Sequence, residues 1–234
     1  MSVMGLLFVF IASVAVSWLW REGVLEAPWI EEGETPAYRG ARGARPKAAK
    51  VALTIFIAVA LCLFTLMSAA FFMRMASPDW QAPPLPRILW FGVFALASGS
   101  AALEVAREAA TADDLARART ALLVAAMASL FFLLGQLWAW RDMVASGFLV
   151  ARNPANAFFY LLTGAHGLHM IGGLVVLGIA CARTWRSETS ARVAPTIALG
   201  AAYWHFLLIV WLLLFAMLAG WADGFGTICR RLLS

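Results

Sequence analysis

Long stretches without a charged residue constrain this chain more than any other feature. Asp, Glu, Lys and Arg are absent from residues 2–20, 51–73, 88–103, 120–140, 154–182 and 193–222. A helix rises about 1.5 Å per residue, so about 20 apolar residues cross about 30 Å of hydrocarbon. Five runs have this length, and the third reaches it if the helix extends over Leu85–Ala110. We therefore predict an all-α polytopic membrane protein with a bundle of six transmembrane helices.

The composition excludes the other broad classes. Of the 234 residues, 63% are hydrophobic and 13% are charged, whereas a soluble domain carries about 25% charged residues. A membrane β-barrel would need short segments of alternating polarity instead of these solid apolar runs. The net charge of +5 reflects basic residues collected in loops, so we expect no nucleic-acid partner.

The runs divide the chain into four segments. Residues 1–21 are predicted to form an N-terminal transmembrane helix, 22–49 a cytoplasmic loop, 50–222 a five-helix core and 223–234 a C-terminal tail. The loops after the first, third and fifth runs hold twelve of the eighteen Lys and Arg residues. The positive-inside rule places these loops in the cytoplasm and both termini in the periplasm. Because no basic residue precedes the first run, we interpret it as a retained helix and not as a secretory signal.

The three histidines are the leading candidates for a site. His166 and His169 lie three residues apart on the fifth helix, and His205 lies on the sixth. Three imidazoles from adjacent helices could bind zinc, copper or haem. The alternative is that neutral imidazoles hydrogen-bond between packed helices or to lipid headgroups, beside glycines that allow close packing. The residue pattern favours this packing interpretation.

Few other polar groups accompany these histidines. Glu104 and Arg107, spaced i to i+3, are interpreted as an ion pair near a cytoplasmic helix end, where the carboxylate could also collect protons. Gln136 is expected to bond to a neighbouring helix. The runs carry no central carboxylate or lysine, which argues against a transporter that works alone. Metal, haem-attachment, phosphate-loop and hydrolase motifs are absent from the sequence, so we expect no catalytic residue in this chain.

Two segments resemble subunit III of the haem-copper (cytochrome c) oxidases. Residues 163–173 read TGAHGLHMIGG and residues 203–215 read YWHFLLIVWLLLF, similar to the TG-x-HG-x-H and YWHF-x-x-x-VW segments on the family's last two helices. Weaker similarity covers the WQAPPLP stretch at 80–86, the ASGS stretch at 97–100 and Gln136. Together the resemblance extends over about residues 50–221.

The resemblance implies that predicted helices two to six correspond to the family's third to seventh, with the family's first helix missing. It also implies two lost carboxylates: Ala60 stands where the third helix typically carries a buried glutamate, and Ala139 where an acidic residue often follows the glutamine. A proton-related role of those carboxylates does not transfer to this chain.

The function implied is that of a non-redox subunit of a proton-pumping terminal oxidase, which stabilises the catalytic subunit I and supports proton uptake. Haem and copper are expected in partner subunits, none in this chain, and the expected partners are subunits I and II and membrane phospholipids in the bacterial inner membrane. By resemblance, the three histidines belong to the helix-packing and lipid-contact set. The full set of residues expected to make helix-packing, lipid or subunit contacts is His166, His169, His205, Trp204, Gln136, Glu104 and Arg107. The open alternatives are an accessory subunit of a quinol oxidase or nitric oxide reductase, and a small haem- or metal-binding membrane protein.

Overall fold

The computed structural model describes residues 45–75, 77–186 and 189–220. These contain five helices long and apolar enough to cross a membrane, and no strand occurs among them. In chain order they are α1 (Arg45–Met75), α2 (Ile88–Thr111), α3 (Leu115–Ala145), α4 (Pro154–Trp185) and α5 (Ser190–Leu218). The first predicted helix and the C-terminal tail lie outside the described residues. That helix, and with it the total of six, remains a prediction.

Most helix ends lie at or beyond the ends of the uncharged runs, whereas α5 ends at Leu218, before its run ends at residue 222. α1 begins at Arg45 and α3 extends over Leu115–Ala145, so residues assigned to loops continue the helices. α1 thus includes residues 45–49, which the charge pattern assigned to a loop, and the division of the chain at residue 50 stays a prediction. Helices can extend beyond the apolar runs because Lys and Arg are good helix formers. α2, which corresponds to the third predicted helix, begins at Ile88. This is three residues later than the predicted start at Leu85 and follows the proline-rich stretch at 80–86.

The chain divides into two compact units, residues 1–65 and 66–234. In the described part of the first unit, the hydroxyls of Thr54 and Thr65 donate to the carbonyls four residues earlier in α1. Ala60, the position at which the resemblance implies a lost glutamate, is buried with 3% of its surface exposed.

The second unit contains a bundle of α2 to α5, in which each helix packs against two others. α2 contacts α3 and α5, and α4 contacts α3 and α5. Short connections keep sequential helices adjacent: only residues 112–114 separate α2 from α3, with Asp113 at φ +63°. Asp114 caps α3 by accepting from the Arg117 amide, which satisfies one of the free donors at the helix start.

Side-chain bonds join α3 to α4 near both ends. At one end, the Arg119 guanidinium donates twice to the Thr184 carbonyl, at 3.0 and 2.9 Å. Toward the other end, the Trp140 indole N–H donates to the Thr163 hydroxyl at 3.0 Å. Because no water competes in hydrocarbon, such bonds add to van der Waals packing in holding membrane helices together.

Candidate functional site

The segment Tyr203–His205 of α5 connects three other helices. The Tyr203 hydroxyl donates to the His169 carbonyl on α4 at 3.0 Å, and the Trp204 indole N–H donates to the Ser129 hydroxyl on α3 at 3.1 Å. Nδ1 of His205 lies 2.5 Å from the Ser100 hydroxyl on α2. Three consecutive side chains can point toward three helices because α5 turns by about 100° per residue.

His166 is fully buried in an aromatic cluster. Its ring centroid lies 5.5 Å from that of Phe132 on α3 and 5.1 Å from that of Trp211 on α5. Phe132 and Trp211 also meet edge to face at 4.8 Å, the geometry that aromatic pairs prefer. A β-carbon at Gly92 of α2 would lie 3.3 Å from the Phe132 ring. A side chain at this position would therefore press on the Phe132 ring, which would have to shift by a few tenths of an ångström.

His169 lies one helical turn further along α4, where its imidazole and its carbonyl have different partners. Its Nδ1–H donates to the Ala165 carbonyl at 2.7 Å, while its own carbonyl accepts from Tyr203. Gly173, again one turn on, is close enough to α5 that an added β-carbon would lie 2.9 Å from both Tyr203 and Trp204. Gly173 therefore allows α4 and α5 to approach closely.

His205 belongs to a polar cluster on α2 and α5. Its Nε2 lies 3.5 Å from Oε2 of Glu104, and Arg107 forms the predicted ion pair with the other carboxylate oxygen. The exposed fractions of these side chains are 45% for His205, 35% for Glu104 and 45% for Arg107. The carboxylate of Glu104 thus joins α2 to α5 at a partly exposed surface.

The three imidazoles therefore have separate surroundings: an aromatic cluster, a carbonyl of α4, and a polar cluster with α2. In the part of the chain that the structure describes, there is no group of three or more His, Cys, Asp or Glu side chains that could hold a metal ion. Each imidazole thus has neighbours of its own in the helix bundle, and the packing interpretation of the three histidines stays a prediction.

The interpretation of Gln136 needs a correction. The side chain is buried, with 4% of its surface exposed, but within the described residues neither its Oε1 nor its Nε2 has a hydrogen-bond partner. The predicted bond to a neighbouring helix is therefore not formed within the part of the chain that the structure describes.

Sequence reasoning missed Ser129 as an acceptor. Its hydroxyl, which accepts from Trp204, also donates to the Ala125 carbonyl at 2.7 Å. The available signal was a serine in the middle of an apolar run, because intramembrane hydroxyls commonly bond across helices.

Comparison with known proteins identifies the family of this chain. The family model described as "Cytochrome c oxidase subunit III" matches residues 2–223, which include both histidine segments. The chain belongs to the cytochrome c oxidase subunit III family. It is a subunit III of a haem-copper oxidase and a multi-pass membrane protein.

Relatives with this name occur in bacteria and animals. The probable cytochrome c oxidase subunit 3 of Mycobacterium bovis is 29% identical over 179 residues, which are 74% of this chain and 88% of that protein. The Nocardia farcinica protein of the same name is 29% identical over 177 residues, 74% of this chain and 87% of its own. Cytochrome c oxidase subunit 3 of the sea star Pisaster ochraceus is 24% identical over 226 residues, 92% and 82% of the two chains.

Proposed function

We propose that this chain is a non-redox scaffold that binds and stabilises the catalytic subunit I of its oxidase. The observation that carries the proposal is the use of Tyr203, Trp204 and His205 to join α5 to α4, α3 and α2. A motif whose polar groups join four helices makes the helix bundle rigid. The haem and copper of the complex then belong to its other subunits.

The scaffold role extends to the remaining site residues and to the assembly. We place His166, His169, Trp204 and Gln136 among the helix-packing contacts, with Glu104, Arg107 and His205 on the contact surface. Subunits I and II and phospholipids are the partners, in the bacterial inner membrane with both termini periplasmic. Support for proton uptake follows from the family resemblance, without a carboxylate at Ala60.

Purification of the intact oxidase in mild detergent tests this proposal. Subunits I and II should co-purify with the tagged chain in stoichiometric amounts, and removal of the chain should shorten the active lifetime of the remaining complex during turnover. Co-purification with the core of a quinol oxidase or nitric oxide reductase would contradict the proposed partner.

The separated chain provides the second measurement. It should show no visible absorption band and no stoichiometric iron, copper or zinc, because its imidazoles serve packing. A bound haem or metal that is lost in the variants His166→Gln or His205→Gln would overturn the scaffold proposal in favour of a cofactor-binding membrane protein.

A further inference from the structure

Gln136 brings an amide into the interior of the four-helix bundle without a matching protein group. Only 4% of its surface is exposed, and among the residues that the structure describes neither its Oε1 nor its Nε2 forms a hydrogen bond. An amide side chain carries two donors and an oxygen acceptor with two lone pairs. Buried groups of this kind are normally paired with protein or with ordered water, because an unmet donor or acceptor costs free energy.

A second unmatched donor lies on α5 at nearly the same level of the bundle. The indole N–H of Trp211 is fully buried and has no acceptor within the described ranges. The Trp211 ring meets the Phe132 ring of α3 with 4.8 Å between the centroids. Gln136 follows Phe132 by four residues on the same buried side of α3. Its amide therefore lies about one helical turn, about 5 Å, from the level of Trp211.

The packing between α3 and α4 is loose beside this amide. Leu133 and Gly167 face each other, and Gln136 lies one turn beyond Leu133 on α3. Gly167 is buried, yet among the described residues a β-carbon added there would meet, outside its own helix, only Cδ2 of Leu133, at 4.0 Å. The same addition at Gly173 gives contacts of 2.9 Å. The interior next to Gln136 is therefore less densely filled than the contact of α4 with α5.

We propose that Gln136 and Trp211 share an internal water site of one or two ordered molecules, which joins α3 to α5. A buried water makes about three hydrogen bonds, and the amide oxygen, the amide N–H groups and the indole N–H supply them. An amide and an indole carry no charge, so the site is suited to a neutral ligand and not to an ion. The ring of His166, 5.1 Å from that of Trp211, borders the site. Gln136 thus contributes to helix packing through water, a role that goes beyond the proposed scaffold function.

A cryo-electron microscopy map of the native complex, at a resolution that shows ordered water, tests the site. We expect water density about 2.7–3.2 Å from the Gln136 amide and from Nε1 of Trp211. This density should be lost in Gln136→Met, which has a side chain of similar length without the amide, and kept in Gln81→Met, which changes an exposed glutamine. A direct bond from the Gln136 amide to another side chain, or density that persists in Gln136→Met, overturns the proposal.

A double-mutant cycle tests whether the two groups share the water. Gln136→Met and Trp211→Phe should each lower the unfolding temperature in detergent, and the double variant should lose less than the sum, because the first substitution already releases the water. Trp204→Phe is the matched control, since the Trp204 N–H has a direct acceptor in the Ser129 hydroxyl. Its loss should add to that of Gln136→Met. Additive losses in both cycles, or a higher unfolding temperature for Gln136→Met, would show that the amide binds no shared water.

Discussion

Adjacent glycines of α4 meet very different surroundings. A β-carbon at Gly173 would lie 2.9 Å from the rings of Tyr203 and Trp204, whereas one at Gly172 would meet nothing within 4 Å. The two positions share backbone conformation and helix, so a substitution at each separates packing from helix propensity.

We expect Gly173→Ala to destabilise the bundle by about 1–3 kcal/mol, because the tightly packed rings must shift. Gly172→Ala should be neutral or stabilise by up to about 1 kcal/mol, since it only reduces the freedom of the unfolded chain. Thermal unfolding of the two variants in the same detergent measures the difference. Equal unfolding temperatures would show that α4 and α5 do not approach closely at Gly173.

Asp79, in the connection between α1 and α2, gives a pH-dependent prediction. Arg74 donates to both of its carboxylate oxygens, at 2.8 and 2.5 Å, and this hydrogen bonding lowers the pKa of Asp79 below its ordinary value. A lowered pKa stabilises the folded state at pH values above the ordinary pKa of a carboxyl group. This contribution disappears as the pH falls through the folded-state pKa.

The variant Asp79→Asn should therefore unfold at a slightly lower temperature than the wild type at pH 7, and the gap should close in acid. The effect is small because both side chains are exposed. Arg74→Gln should show the same pattern. A gap that stays constant from neutral to acid pH would contradict the link to this carboxylate.

Individual residues were predictable from sequence to different degrees. The Glu104–Arg107 pair follows from helical spacing alone, and the structure confirms it. The environment of His166 was not predictable in detail, because its ring contacts come from Phe132 and Trp211, which lie 34 and 45 residues away in sequence. Gln136 shows the same limit: its amide has no hydrogen-bond partner among the described residues, and the sequence alone does not show which groups of other helices lie beside it.

At the scale of helices, one hydroxyl on α3 connects that helix to the segment Tyr203–His205 of α5. Ser129 accepts from Trp204 and donates within its own helix. Ser98 offers a matched comparison, because its hydroxyl donates to the Ala95 carbonyl of its own helix and the residue is exposed.

We expect Ser129→Ala to destabilise the bundle by about 0.6–1.7 kcal/mol, the range measured for interhelical hydrogen bonds in membranes. Ser98→Ala should change stability by less, since it removes no bond between helices. Unfolding of both variants by a denaturing detergent, followed by tryptophan fluorescence, measures this difference. Equal losses would contradict a specific contribution of the Trp204–Ser129 bond.

Helix existence was more predictable than helix extent. Charge-free runs identified α1 to α5 because exclusion from hydrocarbon acts on every charged residue. The ends moved outward by up to five residues on α3, since charged residues continue a helix readily once it leaves the apolar layer. The cap at Asp114 and the short connection after α2 followed from local turn chemistry that the hydropathy pattern does not record.

For the whole molecule, the distribution of basic residues predicts the orientation in the membrane. Arg107, Arg117 and Arg119 flank the connection between α2 and α3, so the positive-inside rule places this connection in the cytoplasm. The connection between α3 and α4 must then lie in the periplasm, because α3 crosses the membrane once.

Single-cysteine labelling of the whole chain tests this orientation. In a background with Cys62, Cys181 and Cys229 replaced by alanine, Ala112→Cys and Ser146→Cys each place one thiol on an exposed position of these connections. A membrane-impermeant maleimide should label intact spheroplasts at position 146 and inverted vesicles at position 112. The reverse pattern would show that the protein has the opposite orientation in the membrane. The Arg119–Thr184 contact would then lie on the periplasmic side and the termini in the cytoplasm.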